Sequence, residues 1–186
     1  VLLNLEGAGL ELLVIATRVS HSHATGGYAA RRRSCEQGAE AMGVPALRDL
    51  SIADLAKAGG LLDDETFRRI RHIVTENVRV EEAVEVLTGR GPAGLGPLLT
   101  ASHASMRDDF EISCAELDTA VEASLAAGAL GARMTGGGFG GSAIALVRRE
   151  DTAAVRSAVE QAFAAAGFQP PAIFSVLPGD GAGRVA

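Results

Sequence analysis

The amino-acid sequence predicts a single α+β domain over residues 1–186, of the ferredoxin-like type: a split βαβ arrangement with a four-stranded antiparallel sheet and helices on one face. Three observations lead to this fold class. Short apolar runs alternate with stretches of helical period, a glycine-rich turn separates two of the runs, and 186 residues suffice for one domain with an elaboration. We expect that elaboration to be a helical insertion at about residues 46–112.

The first elements are a strand and a helix. The continuous apolar run within LELLVIATRV, residues 10–19, predicts a buried strand. The polar stretch SHSHATGG that follows predicts a loop. The next stretch, YAARRRSCEQGAEAMG, predicts a helix that ends on Gly43, because Tyr28, Cys35, Ala39 and Met42 recur at helical spacing.

The expected insertion is helical throughout. Ser51 to Asp54 resembles a helix start, and Gly59 and Gly60 would close a short helix at Ala58. Residues 63–89 have a mostly 3.6-residue apolar period, which predicts one long helix or two stacked ones. After a break at residues 91–96, the stretch PLLTASHASMRDDF is helical again.

The last third of the chain completes the predicted sheet. A helix opens at Cys114 and ends at Gly128, and two short strands, 132–134 and 142–147, flank the glycine-rich turn. The amphipathic stretch EDTAAVRSAVEQAFAAAG predicts a further helix, and PAIFSVLP predicts the last strand. We expect the tail at 178–186 to be disordered, since its glycines and polar residues offer nothing to pack.

Composition excludes several classes of function. The net charge is −6 and no long basic run occurs, which disfavours nucleic-acid binding. No apolar segment approaches the roughly 20 residues that span a bilayer. Cys35 and Cys114 lie far apart, without the spacing of a metal or redox motif, so we expect two buried thiols and a cytoplasmic protein. Because the sequence begins at Val1, we expect it to be a fragment.

The glycine-rich stretch RMTGGGFGGS, residues 133–142, needs an explanation, because ordering a glycine costs roughly 0.5–1 kcal/mol relative to alanine. The stretch is either a tight strand connection only or a concave run of backbone N–H groups that accepts an anion or a close-lying substrate. It is not a P-loop, since no Gly-Lys-Ser/Thr follows, and not a dinucleotide fingerprint, since a strand follows it.

Four stretches together resemble the galactokinase family of the GHMP small-molecule kinases. ARMTGGGFGGSAIALV resembles the third signature motif of that superfamily in its galactokinase version. The other three are VIATRVSHSHATGGYAARRRSCEQ, RRIRHIVTENVRVEEAVEVL and LLTASHASMRDDFEISCAELDTAV, each in the family's order and spacing. The resemblance covers nearly the whole chain and implies the C-terminal half of an enzyme that transfers the γ-phosphoryl group of ATP to the anomeric hydroxyl of galactose.

The resemblance also implies what this chain does not supply. The family's sugar-gripping Arg-x-Asn-Leu-x-Gly-Glu-His motif, its phosphate-cradling Gly-Leu-Ser-Ser-Ser loop and its catalytic aspartate have no match here. We therefore expect no catalytic residue and no metal ligand on this chain. ATP and Mg²⁺ would be bound mainly by an N-terminal domain, which would be the chain's partner beside its small-molecule substrates galactose and ATP.

Two site assignments follow from the resemblance. The tyrosine of the family's Gly-Gly-Tyr-x-x-Arg-Arg pattern contacts the sugar through its hydroxyl, which assigns that role to Tyr28; the alternative is an ordinary half-buried aromatic residue. The glycines of the turn would lie against the active-site cleft, and they are Gly136, Gly137, Gly138, Gly140 and Gly141. One departure is Ala16, where the family commonly has an aspartate, which puts hydrogen bonding at the end of the first strand in doubt.

The remaining polar groups have simpler interpretations. Three consecutive helical arginines, Arg31 to Arg33, fan over about 200° and predict a solvated or salt-bridged surface. The histidines show no metal-ligand spacing and are expected to be structural or on the surface; they are His21, His23, His72 and His103. Lys57, the one lysine, follows no glycine loop. An acidic cluster predicts helix capping, with cleft lining or Mg²⁺ ligation as alternatives; its members are Asp108, Asp109, Glu111, Glu116 and Asp118.

Three other functions remain open from the sequence. The chain could belong to another GHMP sugar kinase, because the family's sugar-selecting residues lie mostly in the other half. A catalytically inactive galactose sensor would share the same scaffold. A ligand-binding regulatory domain of the ACT type would share the split βαβ fold, although not the motifs.

Overall fold

The computed structural model describes residues 3–19 and 24–179. Its strands are β1 (Leu10–Ala16), β2 (Gly131–Thr135), β3 (Ser142–Arg148) and β4 (Ala172–Val176). They form one antiparallel sheet in the order β2-β3-β1-β4. This order is that of the ferredoxin-like fold, so the predicted fold class and the central position of β3 are confirmed.

The helices are α1 (Ala24–Met42), α2 (Leu55–Leu61), α3 (Asp64–Gly89), α4 (Gly96–Asp108), α5 (Ala115–Ala126) and α6 (Thr152–Ala165). Short 3-10 turns lie at Leu47–Asp49, Ile52–Asp54, Pro92–Leu95 and Arg149–Asp151. α5 and α6 pack against each other and against the sheet. They are therefore the two helices of the split βαβ arrangement.

The core lies between the sheet and these two helices. Leu13 and Ile15 of β1 point toward the helices, and their register partners in β3 are alanines, which leave room for Phe163 of α6. This alternation follows from the two-residue period of a strand. A smaller cluster around Leu10 and Leu146, which alternate with the core positions, includes residues of the α4 region and closes one end of the second face.

Helices α1 to α4 form a separate layer. α1 packs on α3, α3 packs on α4, and α4 packs along the edge strand β2. The insertion expected at about residues 46–112 remains a proposal, and these contacts favour its beginning at α1, because α1 lies on α3 and not on the sheet. The long apolar period of residues 63–89 is one helix, whose start is capped where the Thr66 N–H donates to Asp63 Oδ1 at 2.9 Å.

Two helix boundaries differ from the sequence-based expectation. α1 begins at Ala24, so Gly26 and Gly27 belong to the helix and Tyr28 does not start it. α2 likewise continues through Gly59 and Gly60 to Leu61. In both cases glycine costs about 1 kcal/mol relative to alanine in a helix, a penalty that tertiary contacts override. At Gly27 the contact is specific, because a β-carbon there would overlap the ring of Phe139.

Some expectations fall outside the described part of the chain. His21 and His23 lie between its two ranges, and the expected disordered tail lies outside it from residue 180 onward. Within residues 3–19 and 24–179, no helix combines the length and the apolar character needed to cross a bilayer.

Candidate functional site

The glycine loop, residues 136–141, joins β2 to β3 at one end of the sheet. Its base is tied to the end of β1, because the backbone N–H and the hydroxyl of Thr17 both donate to the carbonyl oxygen of Gly141, at 2.9 and 2.8 Å. Thr17 is almost fully buried. The end of β1 is therefore hydrogen-bonded although Ala16 stands where the resemblance would place an aspartate.

The tip of the loop rests on the connector, residues 109–114, which joins α4 to α5. The Phe139 N–H donates to the Ile112 carbonyl oxygen at 2.7 Å. Phe139 has a φ of 61° and Glu111 a φ of 54°, so a left-handed non-glycine residue lies on each side of this contact. Such conformations cost about 1–3 kcal/mol each and cluster at functional sites. A β-carbon on Gly138 would overlap the same carbonyl, so glycine is required there.

Tyr28 of α1 packs against the glycine loop. Its ring packs edge-on against Phe139, with centroids 5.6 Å apart at 82°. A β-carbon on Gly137 would overlap the Tyr28 hydroxyl oxygen and would lie 2.6 Å from Cζ. Tyr28 is 45% exposed, and Gly136 and Gly137 are exposed as well. The structure therefore brings the two predicted site elements together, with a phenol hydroxyl against open loop backbone.

Arg31 also belongs to this cluster, which the sequence-based interpretation missed. Its Nε donates to the Phe110 carbonyl oxygen at 2.9 Å, and a terminal nitrogen donates to the Glu111 carbonyl oxygen at 2.5 Å. Its Cζ lies 5.2 Å from the centroid of the Phe139 ring, a cation–π distance. Burial, and next the nearby Arg69, lower the pKa of Arg31. The available signal was its position three residues after Tyr28, on the same side of α1.

Helix α3 supports the connector from behind through arginines. The Glu111 carboxylate lies 3.3 Å from Arg68 and 3.7 Å from Arg69, whose side chain is only 7% exposed. Arg69 also donates to Ser34 of α1 at 2.7 Å and pairs with Glu65. Glu111 is therefore held by guanidinium groups from α3.

A polar ladder links α3 to α4. Its rungs are Ser102 to Glu76 at 2.6 Å, His72 Nδ1 to Ser105 Oγ at 2.9 Å, and Arg71 Nε to Asp109 Oδ2 at 3.2 Å. The Ser105 hydroxyl donates to Asp109 at 3.3 Å, so His72 Nδ1 is the donor to Ser105. Burial lowers the pKa of His72 to about 4, and its ring stacks on Phe110 of the connector. The ladder residues belong to two of the family-like stretches, RRIRHIVTENVRVEEAVEVL and LLTASHASMRDDFEISCAELDTAV. Their contacts give these residues a structural role.

The acidic cluster does not assemble. Asp109 and Glu111 pair with arginines as described, and Asp108 pairs with Arg107 at 2.8 Å. Asp118 lies 3.2 Å from His103 and accepts from Ser113 at 2.5 Å. Glu116 lines a cavity of about 260 Å³ with Thr17 and Arg18. In the described ranges, no three His, Cys, Asp or Glu side chains are placed to hold a metal together.

The remaining candidates are arginines, a lysine and two cysteines. Arg32 pairs with Glu36 on the exposed side of α1, and Arg33 is exposed. Lys57 lies in α2. Cys35 and Cys114 are free thiols and are half-buried, not buried as expected; this partial burial raises the pKa of each.

Comparison with known proteins assigns the domain. The family description "GHMP kinases C terminal" matches residues 80–165. The galactokinase of Streptomyces coelicolor is 53% identical over 98% of this chain, and that of Mycobacterium tuberculosis is 44% identical over 92%. The chain is a GHMP kinase C-terminal domain. It covers 48% and 47% of those two proteins, so it spans about half of their length.

Solved structures agree with this assignment. The galactokinase of Lactococcus lactis, crystallised with galactose, is 34% identical and matches with a TM-score of 0.83, over 90% of this chain and 45% of that one. The L. major mevalonate kinase is 23% identical with a TM-score of 0.56, which shows the shared fold. The GHMP kinase domain described here therefore corresponds to the C-terminal half of galactokinases, as the sequence motifs predict.

Proposed function

We propose that this domain forms the sugar-facing wall of a galactokinase, which transfers the γ-phosphoryl group of ATP to the anomeric hydroxyl of galactose. The observation that carries the proposal is the Tyr28 hydroxyl lying against the open backbone of Gly136 and Gly137. This arrangement occurs in a chain that is 53% identical to one galactokinase. A second galactokinase, crystallised with galactose, matches 90% of this chain.

The chemistry of this wall suits a sugar. A phenol hydroxyl both donates and accepts hydrogen bonds, and so does each hydroxyl of galactose. The exposed glycine backbone lets a sugar ring or a transferring phosphoryl group come closer than any side chain would allow. Because Thr17 and Ile112 anchor the loop, its backbone dipoles are preorganised and need not reorient during the reaction.

We propose that the rest of the reaction machinery lies in the other half of the protein. The carboxylates nearest the loop are engaged by arginine or histidine, so the described residues do not fit a Mg²⁺ site and we assign no step to a metal here. The catalytic base, the ATP site and the metal ligands would come from the N-terminal domain. ATP as the phosphoryl donor and the two free thiols favour a cytoplasmic location.

A hybrid protein tests this function. In the hybrid, this chain replaces the matching residues of the S. coelicolor galactokinase, so the other half supplies ATP binding. ADP release is measured with MgATP and a panel of galactose, glucose and mannose, and binding of galactose is measured by calorimetry. We expect turnover with galactose far above the other sugars.

The other outcomes identify the alternatives. Because the S. coelicolor half supplies most of the sugar-selecting residues, a folded hybrid that binds ATP but neither binds galactose nor turns it over would assign this half to a different GHMP sugar kinase. Binding of galactose without ADP release by a folded hybrid would favour a galactose sensor on the same scaffold.

A further inference from the structure

One guanidinium group joins three segments at the candidate site. Arg31 belongs to α1, bonds two carbonyl oxygens of the connector and lies over the ring of Phe139 in the glycine loop. We propose that Arg31 is a positioning residue, which sets the distance between Tyr28 and the loop and so shapes the sugar-facing wall. This inference rests on the proposed function for its kinetic consequence, although its structural consequence is measurable without any activity.

The connector is the part of the site that needs such a bond. The Phe110 and Glu111 carbonyls lie just beyond the end of α4, where backbone oxygens lack helical partners. The next carbonyl, that of Ile112, accepts from the loop residue Phe139. Because Glu111 is left-handed, the direction of these three carbonyls depends on a backbone conformation that must be held by its surroundings.

Two helices hold the connector, and they meet at Glu111, whose carboxylate lies 4.0 Å from Arg31 and 3.7 Å from Arg69. From α3, the last rung of the polar ladder fixes Asp109, and the stacked ring of His72 fixes Phe110. From α1, Arg31 bonds the Phe110 and Glu111 carbonyl oxygens and also contacts the loop residue Phe139. The planar, forked donor group of arginine bonds two neighbouring carbonyls at once, which the single ammonium group of lysine does less well.

Its two neighbours show that this role belongs to position 31 alone among the three arginines. Successive helical residues point about 100° apart. The Arg31 side chain is 15% exposed, whereas that of Arg32 is 81% exposed and pairs with Glu36. Arg33 is exposed as well, which makes it a matched control with the same charge on the same helix.

Loss of Arg31 therefore has a defined consequence. Phe139 loses its cationic partner, and the connector that holds the Phe139 N–H loses two bonds. Tyr28, whose ring rests on Phe139, is then released from the loop. The sugar contact weakens while the groups that hold ATP, in the other half of the protein, are unaffected.

The first experiment uses the fluorescence of this chain itself. It contains one tyrosine and no tryptophan, so its intrinsic emission reports on Tyr28 alone. We compare quenching by acrylamide in wild type, Arg31→Ala, Arg31→Lys and the control Arg33→Ala. Since Tyr28 is 45% exposed, its release should raise the quenching constant about twofold in Arg31→Ala. Arg31→Lys should fall between wild type and Arg31→Ala, and Arg33→Ala should match wild type.

The second experiment measures kinetics in the hybrid protein. Arg31→Ala should raise the KM for galactose by up to about tenfold, because the release of Tyr28 removes one hydrogen bond to the sugar, worth roughly 0.5–1.5 kcal/mol, and should leave the KM for ATP within about twofold. Arg31→Lys should restore part of the affinity. Far-UV circular dichroism and the melting temperature establish whether each variant is folded. If Arg31→Ala does not fold, the comparison uses Arg31→Lys instead.

The outcomes separate this inference from the proposed function. An unchanged quenching constant in the folded Arg31 variants overturns the positioning role. So does an unchanged galactose KM accompanied only by a smaller amount of folded protein, because that pattern is a stability effect. If the wild-type hybrid shows no galactose-dependent turnover, the proposed function fails, and the quenching experiment still decides whether Arg31 positions Tyr28.

Discussion

The hydroxyl of Tyr28 occupies the space that a side chain at position 137 would need. A β-carbon on Gly137 would overlap the hydroxyl oxygen and lie within 2.9 Å of the ring atom Cε1. The backbone of Gly137 itself does not have a positive φ, so an alanine is tolerated there by the main chain. The glycine is therefore explained by the approach of Tyr28, and substitution at this position should act on the site more than on the fold.

Gly137→Ala should displace the Tyr28 hydroxyl, because the end of a partly exposed side chain moves more easily than the loop. In the hybrid protein we expect a galactose KM raised roughly 2- to 10-fold, as for one lost hydrogen bond, with the melting temperature nearly unchanged. Steady-state kinetics and calorimetry measure the two quantities. A variant with wild-type kinetics and wild-type stability would remove this contact from the site.

Gly138→Ala, in contrast, should lower the stability of the fold. Gly138 has a φ of 87°, and a β-carbon there would overlap the Ile112 carbonyl oxygen, which is backbone and cannot swing away. We expect a loss of about 1–3 kcal/mol in the free energy of unfolding, which lowers the melting temperature of a chain of this size by roughly 2–12 °C. A thermal melt of the chain tests this. An alanine variant with the melting temperature of the wild type would show that the loop relaxes freely.

Tyr28→Phe should weaken galactose binding without loss of packing, since the ring that rests on Phe139 is kept. One hydrogen bond is worth roughly 0.5–1.5 kcal/mol, or about 2- to 12-fold in the galactose KM. The KM for ATP should barely change. Equal effects on both substrates would place the Tyr28 hydroxyl elsewhere than at the sugar.

The strands and the glycine loop could be predicted from the sequence because their signals are local. Apolar runs bounded by glycine mark β3 at Ser142–Arg148, and five glycines in six residues mark a turn. The start of α1 could not be predicted in this way. Gly26 and Gly27 look like a loop, and only the ring of Phe139, more than 100 residues away, explains why Gly27 lies in the helix without a side chain.

The site was predicted only in part for the same reason. Tyr28 and the glycines carry a recognisable pattern, but three consecutive arginines are alike in sequence. Arg31 differs from Arg33 only through contacts with Phe110, Glu111 and Phe139, which are distant along the chain. The alternative of Mg²⁺ ligation by the acidic cluster finds no support in the described residues, because Asp109 and Glu111 pair with arginines and Asp118 lies beside a histidine. Those pairings depend on how α3 and α4 pack, which the sequence does not show.

His72 should make the chain less stable in mild acid. Its folded-state pKa, about 4, lies below the value near 6.5 expected when unfolded, so the unfolded chain takes up a proton more readily. The stabilising contribution is complete above pH 6.5 and is lost as the pH falls toward 4. The difference corresponds to on the order of 3 kcal/mol, since each pKa unit is worth about 1.4 kcal/mol.

The control is His72→Asn, which keeps an amide at hydrogen-bond reach of Ser105 and does not titrate. Denaturant unfolding of both proteins between pH 4 and 7.5 measures the difference, and the carboxylates common to both cancel. We expect the wild type to lose stability relative to the variant below pH 6.5. Parallel curves would contradict the buried, neutral state of His72.

The most direct test of the whole account is galactose-dependent ADP release, measured on the 186-residue chain alone and on the hybrid protein in the same assay. Phosphoryl transfer needs a positioned nucleophile, a phosphate cradle and a metal together, and we assign these chiefly to the other half of the protein. We expect no turnover above the blank from the purified, monodisperse chain and turnover with galactose from the hybrid. Galactose-dependent turnover by the chain alone, or a folded hybrid that binds ATP and shows none, would contradict the account.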